Sequence, residues 1–262
     1  MAKGEEVRED TFAGRIRAMF DDIAPTYDLL NRVNSLGLDQ LWRKDLVEHV
    51  AVERPELILD LAAGTGDLSL LLAEQCKGAT VVASDLSINM LEIGVQKALR
   101  KGLSQVKVSV EDAMDLSFEE EHFDVVTCAF GVRNFESIAR GYQEMYRVLR
   151  PGGMVAILEL CVPSNPITKA GYNLHVDQVI PFIGQLLGRN KAAYQYLGES
   201  IRKVPQRRQM EGLMRMAGFI NTYYKVYIPG VAALYVGYKP KSDAFAGIYG
   251  ELSKIKSAER VR

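Results

Sequence analysis

The sequence predicts an α/β fold: a mostly parallel sheet with helices on both faces, closed at one edge by an antiparallel hairpin. Three observations carry this. Between residues 57 and 160, apolar runs of strand length alternate with stretches of helical period, the pattern of a parallel sheet. The first run, "LILDL", enters Gly64-Thr65-Gly66 and leaves as "DLSLLLA", a strand–turn–helix step whose sharpness needs glycine. Near the far end, "TYYKVYIPGVAALYVGYKP" reads as two β runs around Pro229-Gly230.

In chain order, residues 11 to 50 read as helical. "FAGRIRAMFDDIAPTYDLLNRV" carries apolar residues at helical spacing and is broken at Pro25; "LDQLWRKDLVEHV" begins a further helix with Asp39 as N-cap. Strands are expected at Leu57–Leu61, Thr80–Ser84, Val106–Val110, Phe123–Phe130 and Met154–Leu160. Helices are expected at Asp67–Cys76, Ile88–Arg100 and Ser137–Leu149, the last stopped by "RPGG". After Leu160 the rhythm breaks, and residues 162–218 read as a helical insert without a good strand. The organisation is thus a helical stretch over 1–50, a sheet domain over 51–240 that contains the insert, and a helical extension over 241–262.

Bulk composition narrows the function classes. The 262 residues are 48% hydrophobic and 25% charged, ordinary for a globular chain with a sizeable core. A formal net charge of -1 gives no global basic field, so no nucleic acid partner is expected. Cys76, Cys128 and Cys161 lie far apart, and His49, His122 and His175 show no ligand spacing. Neither a disulfide framework nor a metal site is expected, and a reducing cytoplasm is the default. The start, "MAKGEEVREDTF", has no apolar core of a secretory signal. "VIPFIGQLLG" is too short to cross a bilayer, which takes ~20 residues.

Ligands of parallel α/β sheets bind outside the carboxyl ends of the strands, and here those ends are acidic. Asp60 ends the first strand, Asp85 the second and Glu111-Asp112 the third, while Asp67 opens the helix after the glycine turn. The third glycine of a dinucleotide fingerprint is replaced by Ser69. A polyphosphate would be repelled, so a nicotinamide dinucleotide oxidoreductase is disfavoured. A cationic ligand with ribose hydroxyls and no phosphate would be held, and S-adenosylmethionine has that chemistry. Gly64 and Gly66 would let backbone approach its methionine part, Asp85 would take the ribose hydroxyls, and Asp112 and Ala113 would meet the adenine. The plainer alternative is a pair of turn glycines with Asp67 as a helix cap.

With these residues in view, "LDLAAGTGDLS", "SDLSINML", "EDAMDL", "FDVVTCAFGVRNF" and "EMYRVLRPGGMVAILEL" resemble class I methyltransferases. "MFDDIAPTYDLLNRVNSLGLDQLWRKDL", "FGVRNF", "YQYLGESIRKVP" and "GVAALYVGYKP" narrow the resemblance to the ubiquinone/menaquinone biosynthesis C-methyltransferases, over residues about 19 to 240. The resemblance implies a Rossmann-like methyltransferase sheet, S-adenosylmethionine as methyl donor, and ring-carbon methylation of a prenylated benzoquinol or naphthoquinol. It makes 1–50 a lid and 162–218 a substrate cap. Carried over by position, it puts Thr65, Asp85, Asp112 and Ala113 at the donor. Asp60, Gly64, Gly66, Leu86 and Ala129 complete the expected donor set. Ala129 stands where a serine is common in that family, and Tyr235 where a histidine is frequent.

The chemistry suggests further roles. A hydroquinone ring carbon becomes nucleophilic when a neighbouring hydroxyl ionises, so a cation should face the oxyanion. Arg133 and Asn134, just past the fourth strand, are expected there, the arginine stabilising the phenolate and the asparagine orienting the other ring oxygen. Tyr27 is expected to contact the quinol or relay its proton, with Asp28 as an acid partner. Tyr172, Phe182, Tyr194, Tyr196 and "VIPFIGQLLG" would form a greasy entrance for the prenyl tail. Within 241–262, Phe245, Ile248, Tyr249, Leu252 and Ile255 share a helical face beside Lys254, Lys256, Arg260 and Arg262, a candidate interfacial helix or a face docked on the protein itself. Peripheral contact with the inner face of the cytoplasmic membrane and a homodimer are the remaining partner expectations. The competing readings are a methyltransferase for another phenol or lipid, and a silent S-adenosylmethionine-binding partner in a biosynthetic complex.

Overall fold

A computed structural model describes residues 10–179 and 191–241. Seven strands form one sheet in the order β3-β2-β1-β4-β5-β7-β6. They are β1 (Leu57–Leu61), β2 (Thr80–Asp85), β3 (Val106–Val110), β4 (Phe123–Ala129), β5 (Leu149–Leu160), β6 (Ile220–Tyr227) and β7 (Ala232–Tyr238). Pairing is parallel from β3 through β5. It turns antiparallel where β7 lies between β5 and β6, which is the expected edge hairpin.

The central strands are buried on both faces, as their unbroken apolar runs require. On one face Trp42, Leu46 and Val50 of α3 (Leu38–Val52) and Leu68 and Leu72 of α4 (Asp67–Gln75) cover Ile58, Val81 and Val125. On the other, Tyr142 and Met145 of α6 (Ile138–Val148) and Met210 and Met214 of α9 (Arg208–Met216) cover Leu59, Val126 and Ile157. Each such side chain removed from water contributes about 1.5–3 kcal/mol. The remaining helices are α1 (Phe12–Ile23), α2 (Tyr27–Ser35), α5 (Ile88–Lys101), α7 (Pro166–Leu174) and α8 (Lys191–Lys203).

Some boundaries differ from expectation for identifiable reasons. Asp39 does not cap α3: Gly37 does, at φ +77, and Asp39, the second residue of the helix, is buried in an ion pair with Arg43. "RPGG" is not a loop between helix and strand. Leu149 already pairs with Phe123, and Gly152 and Gly153 exchange backbone hydrogen bonds with Lys239. Gly153 is needed because a Cβ there would lie 2.9 Å from the Asp124 carbonyl. Pro25 does break the N-terminal helix, as a single 3-10 turn over Ala24–Thr26. Phe182, most of "VIPFIGQLLG" and the tail beyond Lys241 lie outside the described residues.

Candidate active site

From β1 the chain runs outward to β2 and β3, then returns to place β4 on the other side. The reversal opens a crevice at the carboxyl ends of β1, β2 and β4. The turn after β1 enters it with Gly64 at φ +57 and Gly66 at φ +79, a left-handed backbone that favours glycine. Asp85 closes over this turn: its carboxylate accepts from the Gly64 amide at 2.8 Å and the Ser87 amide at 2.9 Å. Burial raises the Asp85 pKa, the two amides oppose the rise, and nearby Asp21 adds to it. Each oxygen keeps a lone pair for another donor. Past β3, Asp112 accepts from the Met114 amide at 2.9 Å and Ala113 is buried beside it.

Gly64, Asp85, Leu86, Asp112, Ala113 and Asn134 share one cleft of about 700 Å3, counted with space open to solvent. Phe12 and Phe20 of α1 and Tyr27 of α2 form its outer wall. The N-terminal segment is seated there by Ile23 and Ala24 packing on Met90 of α5. It is also held by the Ser87 hydroxyl, which donates to Asp21 at 2.5 Å.

The other expected donor residues lie elsewhere around the same turn. Asp60, Thr65 and Ala129 border a small pocket behind it, with Tyr27, Arg43 and Asp67. Asp60 is buried and receives hydroxyls from Ser69 at 2.5 Å and Thr127 at 2.8 Å. Burial pushes its pKa up to about 6. Gly66 faces α5, where a Cβ would sit 3.4 Å from Gly94 Cα. The Thr65 hydroxyl donates to Asp28 at 2.5 Å and accepts from Lys97 at 3.0 Å. Lys97 also pairs with Asp28 at 2.5 Å and Asp67 at 2.6 Å. Asp28 therefore serves as a latch between α2, the glycine turn and α5, and not as the acid partner of Tyr27. Glu111 is likewise occupied, by Ser109 and by the amide and hydroxyl of Ser117.

"FGVRN" folds as a compact corner after β4. Phe130 takes φ +61 and donates its amide to Leu158 at 2.7 Å. Gly131 has no room for a side chain, since a Cβ would lie 2.6 Å from Ala62 Cβ and 2.7 Å from Cys128 Sγ. This corner turns Arg133 inward. It is not a solvated rim arginine: its side chain is 5% exposed and pairs at 3.0 Å with Glu159, itself 1% exposed. One guanidinium nitrogen also donates to the Phe130 carbonyl. Burial works most strongly, against the charged form, but the Glu159 carboxylate together with Tyr27 and Tyr196 outweighs it and raises the Arg133 pKa. Glu159 further accepts from the backbone amides of Arg133 at 3.0 Å and Leu160 at 2.8 Å. Sequence reasoning passed over it; the signal was one acid inside the apolar run "MVAILEL".

Arg133 stands at the join of two further spaces. A middle chamber of about 470 Å3 shares Phe20 and Tyr27 with the donor cleft. It shares Asn31, Asn34, Arg133 and Leu197 with a distal chamber of about 1300 Å3. The distal walls are chiefly apolar, with Leu38, Trp42, Leu160, Val176 and Ile201. Asn134 bridges the system, lining the cleft while accepting from the Tyr196 hydroxyl at 3.2 Å. Among the described residues, Asn34 Oδ1, Arg133 Nε and the Tyr172 hydroxyl are buried without a hydrogen-bond partner, and all three residues line the distal chamber. Buried unpartnered polar atoms are costly, about 1–3 kcal/mol each, and a fourth, the Tyr142 hydroxyl, lies in the core away from the chamber. His175 lines it too, with Nε2 3.0 Å from the Asn34 carbonyl. Tyr235, by contrast, is in the core, accepting from the Arg207 amide at 2.8 Å.

The ubiE/COQ5 methyltransferase family matches residues 6–239. The chain belongs to that family. A demethylmenaquinone methyltransferase of Thermus thermophilus is 43% identical, over 85% of this chain and 100% of its own. A ubiquinone/menaquinone biosynthesis C-methyltransferase of Dinoroseobacter shibae is 37% identical, over 90% of this chain and 94% of its own. Among solved structures, a SAM-dependent methyltransferase of Thermotoga maritima aligns with a TM-score of 0.60 at 18% identity, covering 86% of this chain and 99% of that one. That structural likeness concerns the fold. The cleft of this methyltransferase offers a donor set that suits S-adenosylmethionine, with carboxylate lone pairs at Asp85 and Asp112 and backbone at the glycine turn, while Arg17 of α1 is the basic side chain on its wall among the described residues.

Proposed function

We propose that the protein transfers a methyl group from S-adenosylmethionine to a ring carbon of a prenylated quinol, forming menaquinone or ubiquinone precursors. The observation that supports this is the succession of an acidic, glycine-floored cleft, a middle chamber that shares Tyr27 with it, and an apolar chamber that shares Arg133 with the middle one and measures about 1300 Å3 counted with space open to solvent. Bound in the cleft, S-adenosylmethionine supplies an electrophilic methyl group. Asp85, Asp112 and Ala113 bind the nucleoside part, and the backbone at Gly64 meets the amino acid part. Arg133 and Tyr27 receive the quinol head at the chamber boundary. The buried guanidinium stabilises negative charge as a ring hydroxyl ionises, which pushes electron density onto the adjacent carbon. Its attack forms the carbon–methyl bond, the carbon–sulfur bond breaks with its pair going to sulfur, and the ring proton passes by way of Tyr27 to solvent water as the ring regains its aromaticity. Asn134, held by Tyr196, orients the head, and the apolar walls take the tail and exclude water. The rest of the acceleration comes from alignment of carbon, methyl and sulfur.

No helix among the described residues is long and apolar enough to cross a membrane. A prenylated quinol lives in the bilayer, so the enzyme works peripherally, at the inner face of the cytoplasmic membrane. The test is methyl transfer to demethylmenaquinol and to the demethylated benzoquinol, with the product identified by mass. Methylation of either on a ring carbon is the expected result; methylation of neither by folded, donor-binding enzyme refutes the reading.

A further inference from the structure

Apolar side chains that face water flank the lining of the distal chamber. Leu36, which lines the chamber, is 80% exposed. Ile167, next to the lining residue Thr168, is 83% exposed, and Ile228, next to the lining residue Pro229, is 93% exposed. These three come from separate parts of the chain: the turn between α2 and α3, the first turn of α7, and the hairpin tip between β6 and β7. Single exposed leucines or isoleucines are ordinary on a protein surface. Three from distant segments flanking one apolar cavity form a patch that marks an interaction site.

Charge on the same segments selects the occupant. Lys169 of α7 is exposed and forms no ion pair among the described residues. The nearby acids Asp39 and Asp177 are neutralised by Arg43 and Arg202. An apolar ring with an unpaired cation and paired acids suits an anionic lipid surface.

We infer that this rim is the membrane-docking face: Leu36, Ile167 and Ile228 enter the interfacial layer of an anionic bilayer, and the chamber opens directly to the lipid. The inference rests on the quinol reading above and gives that site its route of supply. The prenyl tail then slides from the leaflet into the chamber without crossing water, and the head arrives first at Arg133. This face is distinct from the tail face suggested by sequence.

The experiment uses the full chain and the variant Ile167→Gln/Ile228→Gln, whose sites are exposed and outside the donor and acceptor contacts. Cosedimentation with phosphatidylglycerol/phosphatidylethanolamine vesicles is measured at low and high salt, with thermal unfolding as the control for folding. Wild type is expected to bind, the double variant at least tenfold more weakly, and Lys169→Glu to show a smaller loss confined to low salt. Turnover of a vesicle-embedded long-chain quinol should fall with binding, while turnover of a water-soluble short-chain quinol stays at the wild-type rate. Equal vesicle binding by wild type and double variant overturns the inference. So does a wild type that ignores vesicles but forms a dimer that the same substitutions dissociate. Absence of turnover on both quinols with vesicle binding intact instead strikes the quinol reading and leaves the docking face standing.

Discussion

The donor cleft and the acceptor chamber meet at Tyr27 and Arg133, yet they are built on opposite plans. In the cleft, polar groups are supplied by short loops at successive strand ends. Their carboxylates are held by amides within a few residues or one strand away, as in Asp112 to Met114 and Asp85 to Ser87 and Gly64. In the chamber, walls come from α2, α3, α7, α8 and the β6–β7 hairpin, segments up to two hundred residues apart. There the polar atoms Asn34 Oδ1, Arg133 Nε and the Tyr172 hydroxyl are left unpartnered. The difference teaches that the donor side is preorganised by its own backbone, whereas the acceptor side is assembled from side chains that only the fold brings together.

The sharpest way to break this comparison is at Arg133. Arg133→Ala leaves the buried Glu159 carboxylate without its cation, at a cost of about 3–5 kcal/mol in stability. Adding Glu159→Gln removes that stranded charge and should recover much of the loss by chemical denaturation. Turnover should not recover: removal of one oxyanion donor lowers the rate by about 100- to 1000-fold, with S-adenosylmethionine affinity close to wild type by calorimetry. If the double variant regains its rate, Arg133 is structural and the chamber boundary has been misplaced.

On the donor side the expected effect is somewhat smaller and falls on a different quantity. Asp85→Ala should weaken S-adenosylmethionine, each lost hydrogen bond to the carboxylate being worth roughly 1.5–3 kcal/mol. The quinol KM at saturating donor should stay near wild type. Unchanged donor affinity in a folded variant would remove Asp85 from the site.

Asp60 sharpens the comparison through pH. Burial raises its folded pKa from 3.8 to about 6, so between these values the folded chain keeps a proton that the unfolded chain releases. Its contribution to stability is therefore greatest below the unfolded pKa and is lost as pH rises to about 6, by on the order of 2–3 kcal/mol. Denaturation midpoints measured from pH 4 to 8 should show this decline in wild type and a flatter curve in Asp60→Asn. Parallel curves would mean that the Ser69 and Thr127 hydroxyls already satisfy the ionised form.

The sequence by itself determined the sheet, its order of strands and helices, and where its acids stand. β1 and β3 were legible to the residue because apolar period and glycine or proline stops are local signals. Of the expected donor residues, Gly64, Asp85, Leu86, Asp112 and Ala113 share one cleft with Asn134, because parallel strands put their carboxyl ends on one rim whatever the side chains, whereas Asp60, Thr65 and Ala129 border the pocket behind the turn. What the tertiary structure alone decided is which of the acids and cations are spent. Asp60 and Asp28 look equivalent to Asp85 in a string of letters, but partners that occupy them lie across the fold, in Thr127 and Lys97, while Glu111 is taken up by Ser109 and Ser117 in its own loop. Arg133 is turned inward by Glu159, 26 residues on. A greasy entrance in the insert was legible at Tyr172, but the extent of the chamber was not, since an apolar helix stripe has the same period whether it packs on a neighbour or stops short and leaves a space. Burial and pairing are properties of distance in space, and only the fold sets that distance.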